Sequence, residues 1–318
     1  MPRITMLDVA IARGHDKVVG VIEENLKSVP EFGIFPARSI NGTQYETLSR
    51  IGLPTASFTQ ASAGIAASKS NWERKLVQCF LLQSRIEIPK HMADASEEGP
   101  AFWQDAESVG VGLAAMRTVA NQIYYGTTAS SDYGFVGLKA IASAGSTLTT
   151  DATGTTATTA SSCYFVKFGL QGVTLIAGRN SALELSAFME ESVTDSGGTN
   201  RLPAYVGHLS SWMGLQTINP NSISRIYNLT ADSGKGLTDA LIATHLAKIP
   251  IGMEPDLCIM SRRSRAQLQA ARTVVINAGP GASRAGTGLA PVADLPTEVF
   301  GIPIMVSDSV LNTDVIGT

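Results

Sequence analysis

The chain has 318 residues, enough to bury about three quarters of its unfolded surface in one large domain or two modest ones. Charged residues make up 16 % against a usual figure of about 25 %, and the net charge of −3 argues against direct nucleic-acid binding, which normally needs a basic face. A chain poor in charge and without a run of about 18 apolar residues excludes a membrane helix and points to a surface that faces other protein.

Residues 1–15 read as an arm with little to hold it down, and acids within the first apolar stretch argue against a signal peptide. Asp16 is placed to cap a helix through Lys27, carrying Val18, Val19, Val21, Ile22 and Leu26, with Pro30 and Gly33 closing it. Residues 36–52 alternate weakly through Ile40, Tyr45 and Leu48 and predict a strand with a turn at Asn41-Gly42. After Leu53, the stretch to Asn71 holds Phe58 and Ile65 as its only large apolar residues. Strand formers flank it, Tyr45–Arg50 before and Leu76–Ile88 after, the second read as one long strand. An excursion of about 20 residues is too long for a tidy turn and too poor for a core. An isolated ribbon is marginal in water, so this one needs a surface from elsewhere; a plain surface loop is the bland alternative.

Residues 100–125 predict a long helix. Phe102, Ala106, Val109, Leu113, Met116, Ala120 and Ile123 recur at alternating spacings of four and three, which puts them on one face. Pro100 suits the first turn and Gly126 the stop. Gly110 and Gly112 in mid-helix each cost about 1 kcal/mol against Ala, which predicts a close neighbour there.

Residues 143–162 are low-complexity Thr, Ser, Ala and Gly, compatible with a flexible loop or an exposed polar ribbon. Cys163–Ala177 predicts a hairpin turning near Gly169–Gly172, and Glu190–Asn200 a polar turn region. Tyr205–Asn228 predicts a second hairpin with Asn219-Pro220-Asn221-Ser222 at its tip, Pro standing where a type I turn favours it. A helix over Thr238–Lys248 stops at Pro250, and a strand covers Asp256–Met260. Ser261 caps a second helix whose arginines read as a solvated face. Residues 277–296 form a Gly/Pro/Ala-rich loop, and Phe300–Val306 a last strand.

No catalytic constellation emerges. The segment Gly281–Gly288 has phosphate-loop glycine spacing but Thr287 where Lys is required, and Ser233-Gly-Lys-Gly lacks the upstream Gly and the following Ser or Thr. No nucleophile-elbow pentapeptide occurs. His15, His91, His208 and His245 stand alone, without partners at metal-ligand spacing. Glu97-Glu98 and Glu190-Glu191 sit in polar turn sequence as solvated charge. Cys79, Cys163 and Cys258 read as reduced, buried small residues of an intracellular protein. No catalytic, cofactor or metal residue is assigned, and no cofactor is expected.

The ordered set of these pieces carries a family resemblance. Leu53-Pro54 through Phe58 enters the loop, and the long helix runs into Gln122-Ile123-Tyr124-Tyr125-Gly126. Then follow Cys163-Tyr-Phe-Val-Lys-Phe-Gly, Tyr205–Asn228, and Phe300-Gly-Ile-Pro-Ile-Met-Val-Ser-Asp. Together they resemble the major capsid proteins of tailed bacteriophages, with the Hong-Kong-97-type fold. The resemblance implies an α+β subunit with an N-terminal arm (1–35), a P-domain strand (36–49) and an extended E-loop (50–75). It further implies a P-domain part with the spine helix (76–130), A-domain parts at 131–204 and 230–318, and a peripheral P-domain hairpin at 205–229. The implied function is a non-enzymatic shell protein that self-assembles as hexamers and pentamers around a double-stranded DNA genome. It would be built in the host cytoplasm and found in the virion.

The implied partners are the chain itself, a separate scaffolding protein, a portal, and a cement or decoration protein. Packaged DNA would be met only through the inner surface, and no membrane is involved. The inter-subunit contact candidates are Phe58, Ile65, Lys69, Trp72, Asn219, Pro220, Asn221 and Ser222. Some members cross-link Lys to Asn; Lys69 and Asn219 are the conceivable pair, and no cross-link is expected here. An encapsulin-like nanocompartment shell is the alternative of the same fold, and a soluble α/β enzyme the alternative of another class.

Overall fold

Two stretches, Ser161–Val166 and Leu257–Met260, have every residue buried. Strands with both faces covered belong in the interior of a sheet with a layer on each side. The structure, a computed structural model, describes residues 29–127, 133–180, 183–194, 198–278 and 292–317. The predicted helix over 16–27 and the glycine-rich stretch 281–288 lie outside the described residues.

In chain order the elements begin with α1 (Glu31–Ile34), β1 (Ala37–Ser39), β2 (Gln44–Gly52), β3 (Asn71–Gln78) and β4 (Phe80–Pro89). Then come α2 (Lys90–Asp94), α3 (Gly99–Tyr125), α4 (Leu138–Ile141), β5 (Thr149–Asp151), β6 (Ser161–Val166) and β7 (Val173–Ala177). The strands β8 (Glu184–Leu185), β9 (Met189–Thr194), β10 (Arg201–Thr217) and β11 (Ile223–Leu229) follow. The chain closes with α5 (Asp239–Leu246), β12 (Leu257–Met260), α6 (Arg262–Ala278), β13 (Glu298–Val299) and β14 (Ile302–Val306).

Three sheets result. The first has the order β1-β7-β10-β4, with β8 and β9 also paired to β10; the second has the order β13-β14-β12-β6-β11-β5; β2 and β3 form a separate ribbon. Alternation along the inner strands of the second sheet splits two cores. Tyr164, Val166, Leu257 and Ile259 face the main core, where Val119, Ile123 and Tyr124 of α3 meet Leu175 and Leu215 of the first sheet. Cys163, Phe165, Cys258 and Met260 face the other way, onto Leu237, Ile242 of α5 and Leu268 of α6. Both helices start as the sequence requires: Thr238 Oγ1 accepts from the Leu241 N–H at 3.2 Å, and Ser261 Oγ from the Ser264 N–H at 3.2 Å. All three cysteines are free and buried.

The 27-residue α3 is held at its ends. Near its start Trp103 packs with Ile86, Ile88 and Ala93, its indole N–H donating to Ser96 Oγ at 3.1 Å. Its last turns carry Val119, Ala120, Ile123 and Tyr124 into the main core. The predicted apolar face is corrected here: Trp103, Ala115, Val119, Ala120, Ile123 and Tyr124 are buried, whereas Val109 is 58 % exposed. A spacing of four and three has a period of 3.5, and a straight helix drifts off it by about 20° per heptad. Among the described residues nothing lies within 4 Å of where a Cβ on Gly110 or Gly112 would stand, so the expected close neighbour is not found among them. Gly126 ends the helix at an ordinary φ of −53°; glycine is needed because an added Cβ would sit 2.1 Å from the Phe135 carbonyl oxygen.

Other expectations are corrected by strand pairing. Tyr205–Asn228 is not a hairpin: β10 pairs with β4 over Ala204–Met213 and with β7 over Met213–Thr217, while β11 pairs with β6 and β5 in the second sheet. Cys163–Ala177 is likewise split, β6 lying in the second sheet and β7 in the first. Alternation reports which residues face a core and carries no information on which strand lies alongside. The expected strand Leu76–Ile88 breaks at Cys79, where the chain leaves the ribbon for the first sheet. Glu190–Thr194 belongs to strand β9, which pairs with β10. The Thr/Ser-rich 143–162 region is ordered, with Thr149, Thr150, Ser161 and Ser162 buried. The arginines of α6 are not simply solvated. Arg272 makes two 2.8 Å bonds to the Asp239 carboxylate, and Arg263 donates to the Thr159 and Leu229 carbonyls. No described helix is long and apolar enough to cross a membrane.

Candidate inter-subunit surface

The ribbon β2–β3 projects from the body because its two strands pair only with each other, Gln44 opposite Gln78 through Gly52 opposite Asn71. Residues directly opposite share a face. One face carries Tyr45, Thr47, Lys75 and Val77 and is anchored to the body. The Tyr45 hydroxyl donates to Gln216 Oε1, Lys75 Nζ donates to the Ile218 carbonyl at 2.9 Å, and Val77 packs with Cys79 and Ile176. Burial pushes the Tyr45 phenol above its usual range, with the Arg38 guanidinium, 4.9 Å from the ring centroid, partly offsetting it. The other face carries Glu46, Leu48, Arg50, Trp72, Arg74 and Leu76, all exposed. Arg50 lies over the Trp72 ring at 4.4 Å, and Arg74 pairs with Glu46 at 3.5 Å.

Between the strands the chain runs out as a loop in which every residue from 53 to 69 is exposed, Phe58 fully so. Its two arms are joined by the Ser68 hydroxyl, which donates to the Thr55 carbonyl at 3.0 Å. A two-stranded ribbon with an apolar outer face is marginal by itself. Leu48, Trp72, Leu76, Phe58 and Ile65 are thus left for another surface to cover.

The structure brings part of the candidate set together. A cleft of about 740 Å3 opens between the loop-side half of the ribbon and two turns of the body. Trp72, Arg50 and Lys75 line it on one side, and Leu170, Asn219, Pro220 and Asn221 on the other. Pro220–Ser222 is one turn of 3-10 helix linking the two sheets, capped by Asn219, whose Oδ1 accepts from the Asn221 N–H at 3.0 Å. Phe58, Ile65 and Lys69 stand on the loop and do not line this cleft. Ser222 is corrected: it is 2 % exposed, and its hydroxyl donates to the Asn219 carbonyl at 2.6 Å, so it faces its own subunit. Sequence reasoning missed Leu48, Arg50, Lys75 and Leu170. Leu48 and Arg50 share a parity that marks them as one face, but only the ribbon register shows that Trp72 and Leu76 share it.

His245 and the pair Glu190-Glu191 have ordinary structural places, while His15 lies outside the described residues. His245 is buried between Thr150 Oγ1 at 2.9 Å and Ser224 Oγ at 3.0 Å, and burial lowers its pKa from 6.5 to about 4, with Lys248 adding to the effect. Glu190 pairs with Lys90 at 2.7 Å and Glu191 with Arg85 at 3.7 Å across the β9 edge. Lys235, of the Gly-Lys-Gly stretch, donates to Thr153 Oγ1 at 2.7 Å. Among the described residues no group of three or more His, Cys, Asp or Glu side chains could hold a metal ion.

A long helix held across one sheet, a second sheet closed by two helices, and a projecting ribbon with an uncovered loop define an α+β capsid subunit of the Hong-Kong-97 type. Solved structures agree. A structure of bacteriophage Epsilon15 superposes over 99 % of this chain and 97 % of its own, with a TM-score of 0.73 and 18 % identity. The bacteriophage JBD30 capsid superposes over 96 % of this chain and 99 % of its own, with a TM-score of 0.52 and 11 % identity. No curated protein matches. The chain belongs to the Major capsid protein GP7 family, whose sequence model matches residues 18–314. It is a structural shell protein of a tailed phage, which favours the phage shell over both the nanocompartment and the enzyme alternatives.

Proposed function

We propose that this subunit closes, as hexamers and pentamers, into an icosahedral head around a double-stranded DNA genome, and that it does so by laying residues 50–75 over a neighbouring copy. The observation that carries this reading is the loop 53–69, exposed throughout beyond a ribbon whose outer face leaves Leu48, Trp72 and Leu76 exposed. In domain terms the arm is 1–35. The P-domain is built on α3 and the first sheet, β10 included, and the A-domain on the second sheet with β11 and helices α5 and α6. The subunit acts as a structural part and not as a catalyst. A separate scaffolding protein, a portal and a cement protein are its partners during assembly in the host cytoplasm, and DNA meets only the inner surface. Amide exchange tests the reading: residues 53–69 exchange fast in free subunits and slowly in shells. Equal protection in both states would sink it, because the loop would then be covered by nothing or by its own subunit.

A further inference from the structure

The fold brings together two thiols that are 95 positions apart in the chain. Cys163 lies on β6 and Cys258 on β12, paired inner strands of the second sheet, and their Sγ atoms are 3.4 Å apart. The register explains the approach. Cys258 stands opposite Phe165, and Cys163 is two residues from Phe165 on the same face, so the thiols are diagonal neighbours. Both residues are 0 % exposed and pack among Phe165, Leu237, Ile242 and Leu268. In these apolar surroundings the two sulfurs bond to each other, either one able to donate.

Such a pair is slow to react but has one outcome when it does. Burial, with the Cys163 thiol alongside, pushes the Cys258 thiol well above its usual range, so its sulfur stays protonated inside the fold. A bulky disulfide has no route to it, whereas hydrogen peroxide is little larger than water. A sulfenic acid formed on either sulfur then has the other thiol in contact, and condensation with that thiol is the usual fate of a sulfenic acid. A disulfide needs sulfurs about 2.05 Å apart, so each has to move by about 0.7 Å, a side-chain swing and not a shift of strands. Cys79 differs. It is buried in another cluster, with Val77 and Ile176, and has neither of the other cysteines beside it.

We propose that Cys163 and Cys258 form a modification site at which a hydroperoxide makes an intramolecular disulfide, joining β6 to β12. One thiol takes an oxygen atom from hydrogen peroxide, giving a sulfenic acid and a first water. The second thiol attacks that sulfur, a second water leaves, and the two sulfurs have together given up two electrons and two protons. The inference goes beyond the shell-forming reading and does not depend on it. It nonetheless suits a virion, which outside its host meets oxidant with no thiol pool to reduce the bond.

Thiol counting on the full-length wild-type protein tests it. The folded chain is held in dilute hydrogen peroxide, the peroxide is removed with catalase, and free thiols are labelled with a maleimide as the chain is denatured. Untreated protein takes three labels, one for each cysteine, and treated protein takes one, on Cys79. Peptide mapping recovers Cys163 and Cys258 in one linked species, two hydrogens lighter than the sum of its parts, and dithiothreitol restores all three labels. Cys79→Ser, which leaves the pair intact, goes from two labels to none. Three labels surviving on treated wild type overturns the proposal. So does a bond joining either residue to Cys79 or to a second chain, or separate sulfinic acids at the two positions with no link between them.

Discussion

His245 gives the subunit a calculable weakness to acid. Its ring is fully buried, bonded on one side to Thr150 of β5 and on the other to Ser224 of β11, with the Phe165 ring 5.0 Å away. Burial holds its pKa near 4, against 6.5 when exposed. Because the folded value is the lower one, the unfolded chain takes up the proton first as the pH falls, and stability is lost across that interval. The loss begins near pH 6.5 and is complete just below about 4. At about 1.4 kcal/mol per pH unit the interval is worth about 3 kcal/mol, a large share of the usual 5–15 kcal/mol. The assay is urea unfolding of the free subunit at about pH 7.5, 6, 5 and 4, beside His245→Gln, which has no ionisable ring. At neutral pH the variant is weaker by about 1–2 kcal/mol through a lost hydrogen bond. Toward pH 4 the wild type loses about 3 kcal/mol more than the variant does, so the two curves meet or cross. Parallel curves through the whole range would refute the reasoning, since the ring would then titrate alike in both states.

Asp232 acts in the opposite sense. Its carboxylate accepts from the Thr156 and Thr230 hydroxyls and from the Thr155 and Thr156 N–H groups, which hold it near pH 2 against 3.8. Its contribution is present above pH 3.8 and lost as the pH falls through about 2, so amide protection at Thr155 and Thr156 survives at pH 4 and disappears below that window; in Asp232→Ala it is absent at every pH. Trp103→Ala removes the anchor of the spine-helix start and lowers stability by about 3–5 kcal/mol in urea unfolding, whereas a loss under about 1 kcal/mol would show that Ile86, Ile88 and Ala93 hold that end without it. Asn221→Trp leaves the subunit folded, because the side chain is exposed on the cleft wall, and blocks shell formation; normal shells by electron microscopy would show that nothing docks there. Denaturing gels of mature particles show a single subunit band, and a ladder of high-mass bands would instead implicate Lys69.

Much of the local structure was legible in the residues themselves. Pro100, a long apolar stripe and Gly126 bound α3 to within a residue of its observed start and at its observed end. Thr238 and Ser261 mark the two later helices through their own hydroxyls, and the dearth of large apolar residues over 54–70 marks a loop with no core. These features are local: a cap, a period or a lack of apolar area depends on neighbours in sequence, and a sequence displays them directly. That other protein covers part of the surface was legible for a related reason, since a charge-poor chain with a coreless excursion needs such cover; the shell itself was implied only by the resemblance of the ordered pieces to capsid proteins.

Strand partnership was decided only by the tertiary structure. β6 and β7, and β10 and β11, look like hairpins because each pair alternates around a turn of Gly or Pro. Yet the hydrogen bonds of each strand are met by strands far away in sequence, β10 by β4 and β7, β6 by β11 and β12. Backbone donors and acceptors are identical at every residue, so nothing in a strand's own side chains names its partner. The contact surface follows the same logic. Trp72 and Asn219–Asn221 were visible singly, but Arg50, Lys75 and Leu170 join them in one cleft only because the ribbon folds back over a turn roughly 150 residues further along.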